Sequence, residues 1–314
     1  MKNNKSHPTI EILLATFQSE RFLNELLDSI LAQTDTEWTL LIRDGGSTDS
    51  TENILQSYQA KYPDKIRILP GGRASACRNF AKLAEASSAE LVMFCDHDDI
   101  WKPDKIELSR KAYEAETVQI PSDTPIMFFS DMTITDHHLK PIAKSFFRNE
   151  HIDPRRLKLE HLLLQNVPSG CTMLVNRSLL KRAIPIPERA VMHDHWLALC
   201  TACFGHFVYL PTQTLLYRQH SKNVFGASGY GISYFLHRIQ QGIPGIRNRL
   251  FEKSYQAGAF LDSFRNSITE KDCLLLSDFA SLPNVGWLSR REILWKHKIF
   301  KNGWIRNIGM FLLI

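Results

Sequence analysis

The sequence predicts an α/β fold in which a parallel sheet is flanked by helices, and three observations support this. Apolar segments of strand length alternate with segments of helical periodicity through the first hundred residues. Residues 91–95 are almost continuously apolar, as is typical of a strand buried on both faces of a parallel sheet. Three carboxylates, Asp96, Asp98 and Asp99, follow this strand. Because ligands bind beyond the carboxyl ends of such strands, the cluster is predicted to line a crevice.

The first half of the chain is predicted to form a doubly wound, nucleotide-binding sheet. Between the apolar segments, side chains such as Phe22, Leu26 and Ile30 recur at helical spacing and would cover the sheet. Parallel strands need such crossover helices, since a short turn cannot join them. The predicted strands are residues 9–15, 38–42, 66–69 and 91–95, and the predicted helices are residues 21–33, 50–62 and 74–86.

The second half of the chain has a less regular pattern. It predicts a mixture of strands and helices up to residue 227, followed by a helical, basic extension over residues 228–314. We therefore expect one α/β domain over residues 1–227. The further predicted strands are residues 126–130, 132–135, 170–175, 207–210 and 214–217, and the further predicted helices are residues 104–116, 155–165 and 192–204.

Composition indicates a globular protein with one local basic surface. The 314 residues carry a formal net charge of +5, and from Val285 onward six Lys and Arg residues stand against a single acid, Glu292. A basic segment attached to a neutral remainder argues against a nucleic-acid footprint spread over a domain. The polar start of the chain lacks the pattern of a secretory signal, and no apolar run reaches membrane-spanning length, which predicts a cytoplasmic protein.

The carboxylate cluster after residues 91–95 favours a metal–phosphate site. Like charges raise one another's pKa unless a cation neutralises them, and hard Mn²⁺ or Mg²⁺ prefers such oxygen ligands. The alternative is a helix start, in which Pro103 occupies the first turn and Asp99 and Asp104 complement the helix dipole. That alternative accounts for only part of the cluster.

Two further polar segments follow predicted strands or begin predicted helices. Asp44 ends a strand and precedes two glycines, so it could accept hydrogen bonds from a nucleobase or ribose. Asp49 could do the same or simply cap the next helix. Arg78 lies at a helix start, where its guanidinium could meet a diphosphate or remain on the surface.

The second half contributes three more candidates. Asp194 lies between two histidines at a helix start, where it could complement the helix dipole or deprotonate an attacking hydroxyl. Arg218 and His220 follow the last predicted strand. The arginine could pair with phosphate and the histidine could complete a metal shell, or both could belong to a solvated loop.

These motifs, in this order, resemble those of family 2 glycosyltransferases, the inverting enzymes of GT-A fold that use nucleotide sugars. The resemblance covers residues 9–227. Its set of motifs is most similar to the bacterial rhamnosyltransferase branch, although Ala15, Gln18, His97 and His195 depart from the usual residues. The family motifs are residues 16–17, 44–49, 76–79, 96–101 and 193–196, and the segments that indicate the branch are 96–101, 170–173 and 217–223.

The resemblance implies a mixed GT-A sheet and transfer of a sugar, rhamnose in that branch, from a nucleoside-diphosphate sugar. The acceptor would be a saccharide or a lipid-linked saccharide of bacterial surface polysaccharide synthesis. A nucleotidyltransferase or nucleotide-sugar hydrolase is the alternative, but it gives Asp194 no purpose. The resemblance implies catalysis by Asp194, donor binding by Thr16, Phe17, Glu20, Asp44, Arg78, Asp96 and Arg218, and Mn²⁺ or Mg²⁺ binding by Asp96, Asp98 and His220.

The last 24 residues suggest where the protein works. Apolar side chains, including Trp295 and Trp304, interleave with Lys296, Lys298 and Arg306, and this mixture suits the interface of an anionic membrane. The sequence therefore predicts a peripheral enzyme on the inner face of the plasma membrane. The alternative is that these apolar residues pack on the catalytic part or form a homodimer.

Overall fold

The computed structural model describes residues 8–220 and 242–314, and its centre is a mixed β-sheet. The strands are β1 (Ile10–Thr16), β2 (Trp38–Asp44), β3 (Ile66–Leu69), β4 (Leu91–Asp96), β5 (Ile100–Trp101), β6 (Ile126–Thr135), β7 (Pro141–Ala143), β8 (Met173–Asn176) and β9 (His206–Arg218). Their order in the sheet is β3-β2-β1-β4-β8-β6-β9-β5, with β7 paired to β6.

Helices flank the sheet and form the carboxyl-terminal part. Two short 3₁₀ turns, Gly170–Thr172 and Leu282–Asn284, accompany them. The helices are α1 (Leu23–Leu31), α2 (Thr51–Lys61), α3 (Ala76–Ala86), α4 (Lys105–Thr117), α5 (Phe146–Asn149), α6 (Leu159–Leu162), α7 (Arg177–Ala183), α8 (His193–Phe204), α9 (Gly242–Phe264), α10 (Glu270–Ala280), α11 (Trp287–Lys296) and α12 (Trp304–Leu313).

Parallel pairing brings the carboxyl ends of β1, β2 and β4 to one edge of the sheet. Thr16 lies opposite Asp44, and Ala15 lies opposite Asp96. Beyond β4 the pairing changes, because β8 runs antiparallel to β4 and β6 runs antiparallel to β8. The predicted site residues of three strands are thus held side by side by backbone register.

Two hydrophobic layers fix the sheet between the helices. Along β1, Leu13 faces the layer of α3 and α8, whereas Ile12 and Leu14 face the layer of α1, α2 and α4. This alternation follows from the two-residue period of a strand. Since β4 is buried on both faces, its end is rigidly placed, as the apolar pattern predicts.

The structure confirms the alternation of strands and helices but corrects several bounds. The paired segments 126–130 and 132–135 belong to β6, and 207–210 and 214–217 belong to β9. The prediction of a helix over 155–165 was wrong, because only Leu159–Leu162 is helical. Before it, the Asp153 carboxylate accepts the Arg155 N–H, and the Arg156 guanidinium donates to the carbonyls of Phe300 and Lys301. The backbone forms a turn instead, in which the Arg156 N–H donates to the Asp153 carbonyl at 3.1 Å.

The carboxyl-terminal helices share a core with the sheet domain. Phe260 of α9 packs on Trp196 of α8, with ring centroids 5.2 Å apart, and Leu294 and Ile299 are completely buried. The predicted boundary between residues 227 and 228 lies outside the described residues and stays a prediction. Within the described ranges, no helix is both long enough and apolar enough to cross a bilayer.

A buried ion pair joins α12 to the sheet domain. The Arg306 guanidinium donates to the Glu150 carboxylate at 3.0 Å and to the Glu150 carbonyl at 2.5 Å, and both residues are at least 94% buried. Arg306 is therefore a buried anchor and does not belong to the basic surface that the sequence predicted.

We predict that Arg306→Met destabilises the protein by ~3–5 kcal/mol, because it removes the Arg306 charge from a buried carboxylate. The double variant Arg306→Met, Glu150→Leu should recover most of that loss, since no lone charge remains. Urea unfolding of the three proteins measures the difference. Equal stability of Arg306→Met and the native chain would contradict the assigned role.

Candidate active site

Asp44 organises the loop that follows β2. Its Oδ1 accepts hydrogen bonds from the hydroxyls of Thr16 and Ser47 at 2.8 and 2.7 Å, and its Oδ2 accepts the N–H groups of Gly46 and Ser47. The carboxylate thus holds the ends of β1 and β2 together. Gly45 permits this approach, because a Cβ there would lie 3.2 Å from the Thr16 carbonyl oxygen.

The loop after β1 presents one aromatic side chain to solvent. Phe17 is 52% exposed, whereas the neighbouring Ser19 is buried. Glu20 accepts the Ser50 N–H at 3.0 Å, and Asp49 accepts the N–H groups of Glu20 and Thr51. Glu20 and Asp49 therefore fasten this loop to the start of α2, where Ser50 is the N-cap residue and Asp49 accepts the N–H of the first helical residue.

The acids after β4 are withdrawn from water. Asp98 and Asp99 are buried, and Asp96 is largely buried. Burial, reinforced by the charges of Asp98 and Asp194, raises the pKa of Asp96 to about 7. Burial and its two acidic neighbours also hold the pKa of Asp99 well above its usual range. Burial therefore favours the protonated forms of Asp96 and Asp99, and a bound cation would favour their charged forms.

His220 and Arg218 contact the cluster from the end of β9. The His220 Nε2 lies 2.8 Å from Oδ2 of Asp98. The Arg218 guanidinium is buried, donates to the carbonyls of Asp98 and His137 and to the Glu25 carboxylate, and stacks on Phe22. Arg218 thus holds the loop of Asp98 in place through hydrogen bonds. The sequence pattern does not indicate that its guanidinium is buried in these contacts.

Lys105 is a buried cation that sequence reasoning missed. It is completely buried, and its Nζ donates to the Cys171 carbonyl at 2.8 Å and contacts the Thr214 hydroxyl at 3.3 Å. Burial lowers the pKa of Lys105 to about 8, against the opposing influence of Cys171, Cys95 and Asp99. In the sequence it looks like an ordinary residue near a helix start, and no local pattern distinguishes it, because its partners Cys171 and Thr214 are distant in the chain.

Asp194 lies in the first turn of α8. Its Oδ1 accepts the His195 N–H at 2.6 Å, and its Oδ2 accepts the Gly170 N–H at 3.2 Å. Burial nevertheless raises the pKa of Asp194 to about 6. The carboxylate is fixed in orientation and remains partly exposed, which suits a group that accepts protons near neutral pH.

The two histidines beside Asp194 have separate, buried surroundings. His193 packs between Phe80 and Phe94, and burial lowers its pKa to about 3. The His195 Nε2 lies 2.6 Å from the Leu162 carbonyl oxygen, which can only accept, so this nitrogen carries the proton. The His195 Nδ1 therefore accepts from Gln256 of α9, 3.2 Å away. Both histidines position α8.

Gln256 is the second residue that sequence reasoning missed. Its side chain is buried, its amide nitrogen donates to His195, and its amide oxygen accepts the Val191 N–H at 2.7 Å. These two contacts lie on either side of Asp194 along the chain. No local pattern links residues so distant in sequence, so only the folded structure identifies this clamp.

Arg78 lies at the start of α3, facing the segment before α8. Its guanidinium donates to the Ile186 carbonyl at 2.7 Å, and the side chain stays partly exposed. The nearby Cys77 thiol contacts the Ala190 carbonyl, and the charge of Asp194 adds to the burial that raises the pKa of Cys77 to about 11. The starts of α3 and α8 are therefore close together.

The structure brings the predicted residues into two connected groups. Thr16 and Asp44 join at the ends of β1 and β2, while Asp96, Asp98 and His220 meet beyond β4. Such an edge, with an orienting carboxylate and clustered acids, is typical of enzymes that bind a phosphorylated ligand over an α/β sheet.

Comparison with known proteins identifies the family. The sequence model "Glycosyl transferase family 2" matches residues 11–183, so the chain belongs to this family of glycosyltransferases. It is 26% identical over 254 residues to the dTDP-rhamnosyl transferase RfbG of Shigella flexneri, covering 76% of this chain and 81% of that protein. The chain spans 66 to 81% of the length of the first curated relatives it matches.

Solved structures confirm the GT-A fold. TarS 1-349 of S. aureus in complex with UDP-GlcNAc aligns with a TM-score of 0.53 at 15% identity, covering 96% of this chain and 89% of TarS. The mannosyltransferase PcManGT of Pyrobaculum calidifontis, in complex with GDP-Man and Mn²⁺, aligns with a TM-score of 0.50 at 15% identity, covering 94% and 87%. The α/β, GT-A prediction is therefore confirmed.

Proposed function

We propose that the protein is an inverting glycosyltransferase in which Asp194 is the catalytic base. The observation that carries this is the placement of Asp194: a partly exposed carboxylate, fixed by two backbone N–H groups, whose charge acts on Asp96 of the acid cluster. A base and an acid cluster at one sheet edge suit a transfer between an acceptor hydroxyl and a phosphorylated leaving group.

The reaction follows from this placement as a single displacement. Asp194 accepts the proton of the acceptor hydroxyl while the oxygen attacks the anomeric carbon. The bond from that carbon to the nucleoside diphosphate breaks on the opposite face, so the anomeric configuration inverts. Arg78, partly exposed near the start of α3, supplies positive charge for the departing diphosphate. Arg218 supports it indirectly, by holding the loop of Asp98.

The proposed donor is a nucleoside-diphosphate sugar, with dTDP-rhamnose as the first candidate. The likeness to a dTDP-rhamnosyl transferase supports the sugar, and the sugar nucleotides bound by two structural neighbours support the donor class. Asp44, Thr16, Phe17 and Glu20 form the nucleotide side of the proposed site. The proposed acceptor is a saccharide or lipid-linked saccharide of bacterial surface polysaccharide synthesis.

The acid cluster fits a divalent cation. Oδ2 of Asp99 is buried without a hydrogen-bond partner among the described residues, and it lies with Asp96 and Cys171 in a group of ligand atoms within 4.8 Å of one another. Burial keeps the Cys171 pKa high, so this thiol stays protonated and does not suit a hard cation. We propose that Asp96 and Asp99 of this group, with Asp98 and His220 beside them, would hold Mn²⁺ or Mg²⁺, which would neutralise diphosphate charge.

Replacing Asp194 tests the base. Asp194→Asn should lower turnover by about 10²–10⁴-fold, because the amide cannot accept the proton, while donor affinity measured by calorimetry stays within about twofold. The native rate should also fall as the pH drops below about 6, where the carboxylate takes up a proton. A weakened donor site with near-native turnover would overturn the assignment.

Removing the cation tests the metal site. Excess EDTA should abolish sugar transfer and added Mn²⁺ or Mg²⁺ should restore it, while Asp98→Asn should stay inactive because it lacks a ligand charge. Asp104→Asn, an exposed acid at the start of α4, is the matched control and should keep native activity. Transfer at the native rate in EDTA would show that the acids act without a metal.

We further propose that α11 and α12 attach the enzyme to an anionic membrane surface. Leu288 and Trp295 are two helical turns apart on α11, and Trp304, Ile308 and Leu312 recur every four residues on α12. Trp295 lies beside α12, with its ring centroid 6.5 Å from that of Phe311. These side chains, 51–71% exposed, form what we call the apolar tail face: Leu288, Trp295, Trp304, Ile308 and Leu312.

Charge beside the tail face supports this location. Lys296 and Lys298 are exposed, although Lys296 also pairs with Asp278. Basic groups near anionic lipids contribute ~1 kcal/mol each, and tryptophan prefers the headgroup region. The alternative of internal packing holds for Leu294 and Ile299, which are buried in the core, and for Ile293 and Phe311, which pack against it.

Vesicle flotation tests the attachment. The native chain should float with anionic vesicles at low salt and separate from them at high salt, because the attraction is partly electrostatic. The double variant Trp295→Ser, Trp304→Ser should float at least about tenfold less, whereas Leu274→Ala, which changes an exposed side chain on α10, should match the native chain. If the native chain does not bind anionic vesicles at low salt, the membrane proposal is wrong and the tail face would instead form a homodimer interface.

A further inference from the structure

A cleft of about 440 Å³ lies between α9 and the segment that leads into α8. None of the residues described so far as donor or metal ligands lines it. Its walls carry two acids, one arginine and one tyrosine among small apolar side chains. The lining residues are Glu188, Arg189, Ala190, Val191, Glu252 and Tyr255.

Two sets of contacts connect this cleft to Asp194. The Val191 N–H, in the cleft wall, is held by Gln256, which also donates to His195, the neighbour of Asp194. On the other side, the Ala190 carbonyl contacts the thiol of Cys77. The charge of Asp194 contributes to the raised pKa of this thiol, so Asp194 is close to Cys77. An acceptor hydroxyl at Asp194 would therefore have the cleft beside it.

The chemistry of the cleft suits a neutral sugar. Tyr255 is 48% exposed and offers a ring face and a hydroxyl, with the Arg189 Cζ 6.0 Å from the ring centroid. Glu188 and Glu252 are exposed carboxylates, which accept hydrogen bonds from hydroxyl groups. Two acids against one arginine give the lining a negative balance, which disfavours phosphates and acidic sugars.

We infer that the cleft binds a neutral saccharide: the sugar of the acceptor that adjoins the one receiving the new linkage. This inference rests on the proposed transferase function, since it places the acceptor beside Asp194. The position of the tail supports it. Arg290 of α11 stacks on Phe251, the neighbour of Glu252, and the same helix exposes Leu288. Helix α11, which carries part of the proposed membrane-binding face, therefore packs beside the helix that lines the cleft.

Saturation-transfer NMR tests the cleft with defined probes. The native protein is mixed in turn with methyl α-rhamnoside, methyl β-glucoside, methyl N-acetylglucosaminide and, as an acidic counterpart, methyl glucuronide. At least one neutral glycoside should bind, and the glucuronide should bind more weakly. Tyr255→Ala should weaken the neutral probe by about tenfold, whereas Tyr255→Phe should keep most of its affinity, because the ring face remains.

The controls separate this inference from the function on which it rests. Leu274→Ala should bind like the native protein, and thermal unfolding confirms that the variants are folded. Failure of every neutral glycoside to bind, or equal binding by Tyr255→Ala and the native protein, would overturn the cleft assignment. Calorimetry with dTDP-rhamnose, UDP-GlcNAc and GDP-mannose on the same samples tests the donor independently, so a chain that binds a donor but no glycoside loses only the cleft.

Discussion

The structure depends on keeping three carboxylates out of water at the end of one buried strand. Removing like charges from solvent is unfavourable, and the raised pKa values of Asp96 and Asp99 record that penalty. Cationic and hydrogen-bond-donating groups around the cluster reduce this penalty. Lys105 lies behind the cluster, the Arg218 N–H donates to Asp99, and His220 contacts Asp98. The cation proposed above would neutralise the negative charge that these groups leave uncompensated.

This constraint also explains the arrangement of the sheet. Acids can remain concentrated only where the backbone does not yield, and β4 lies between β1 and β8 with both faces covered. Asp44 serves the same end at β2, where four hydrogen bonds immobilise its carboxylate. A preorganised edge spends little free energy on rearrangement when a charged ligand arrives.

Sequence pattern predicts those parts of the molecule whose cause is local. The buried strand before Asp96 and the strand-ending Asp44 follow from period and composition alone. Lys105, Gln256 and the full engagement of Arg218 do not, because each depends on partners far away in the chain. The helix predicted over residues 155–165 is an error of the same kind. Arg156 donates to the carbonyls of Phe300 and Lys301, and the sequence around Arg156 does not indicate contacts with residues so far away.

The link from Gln256 to His195 has a consequence for how this enzyme can diversify. The Gln256 amide donates a hydrogen bond to the His195 imidazole. Replacing only one of these two residues would leave a buried polar group of the other without its partner, so we expect the two residues to change together. Exchanging the carboxyl-terminal helices between relatives would therefore preserve this hydrogen bond only when His195 and Gln256 are exchanged together.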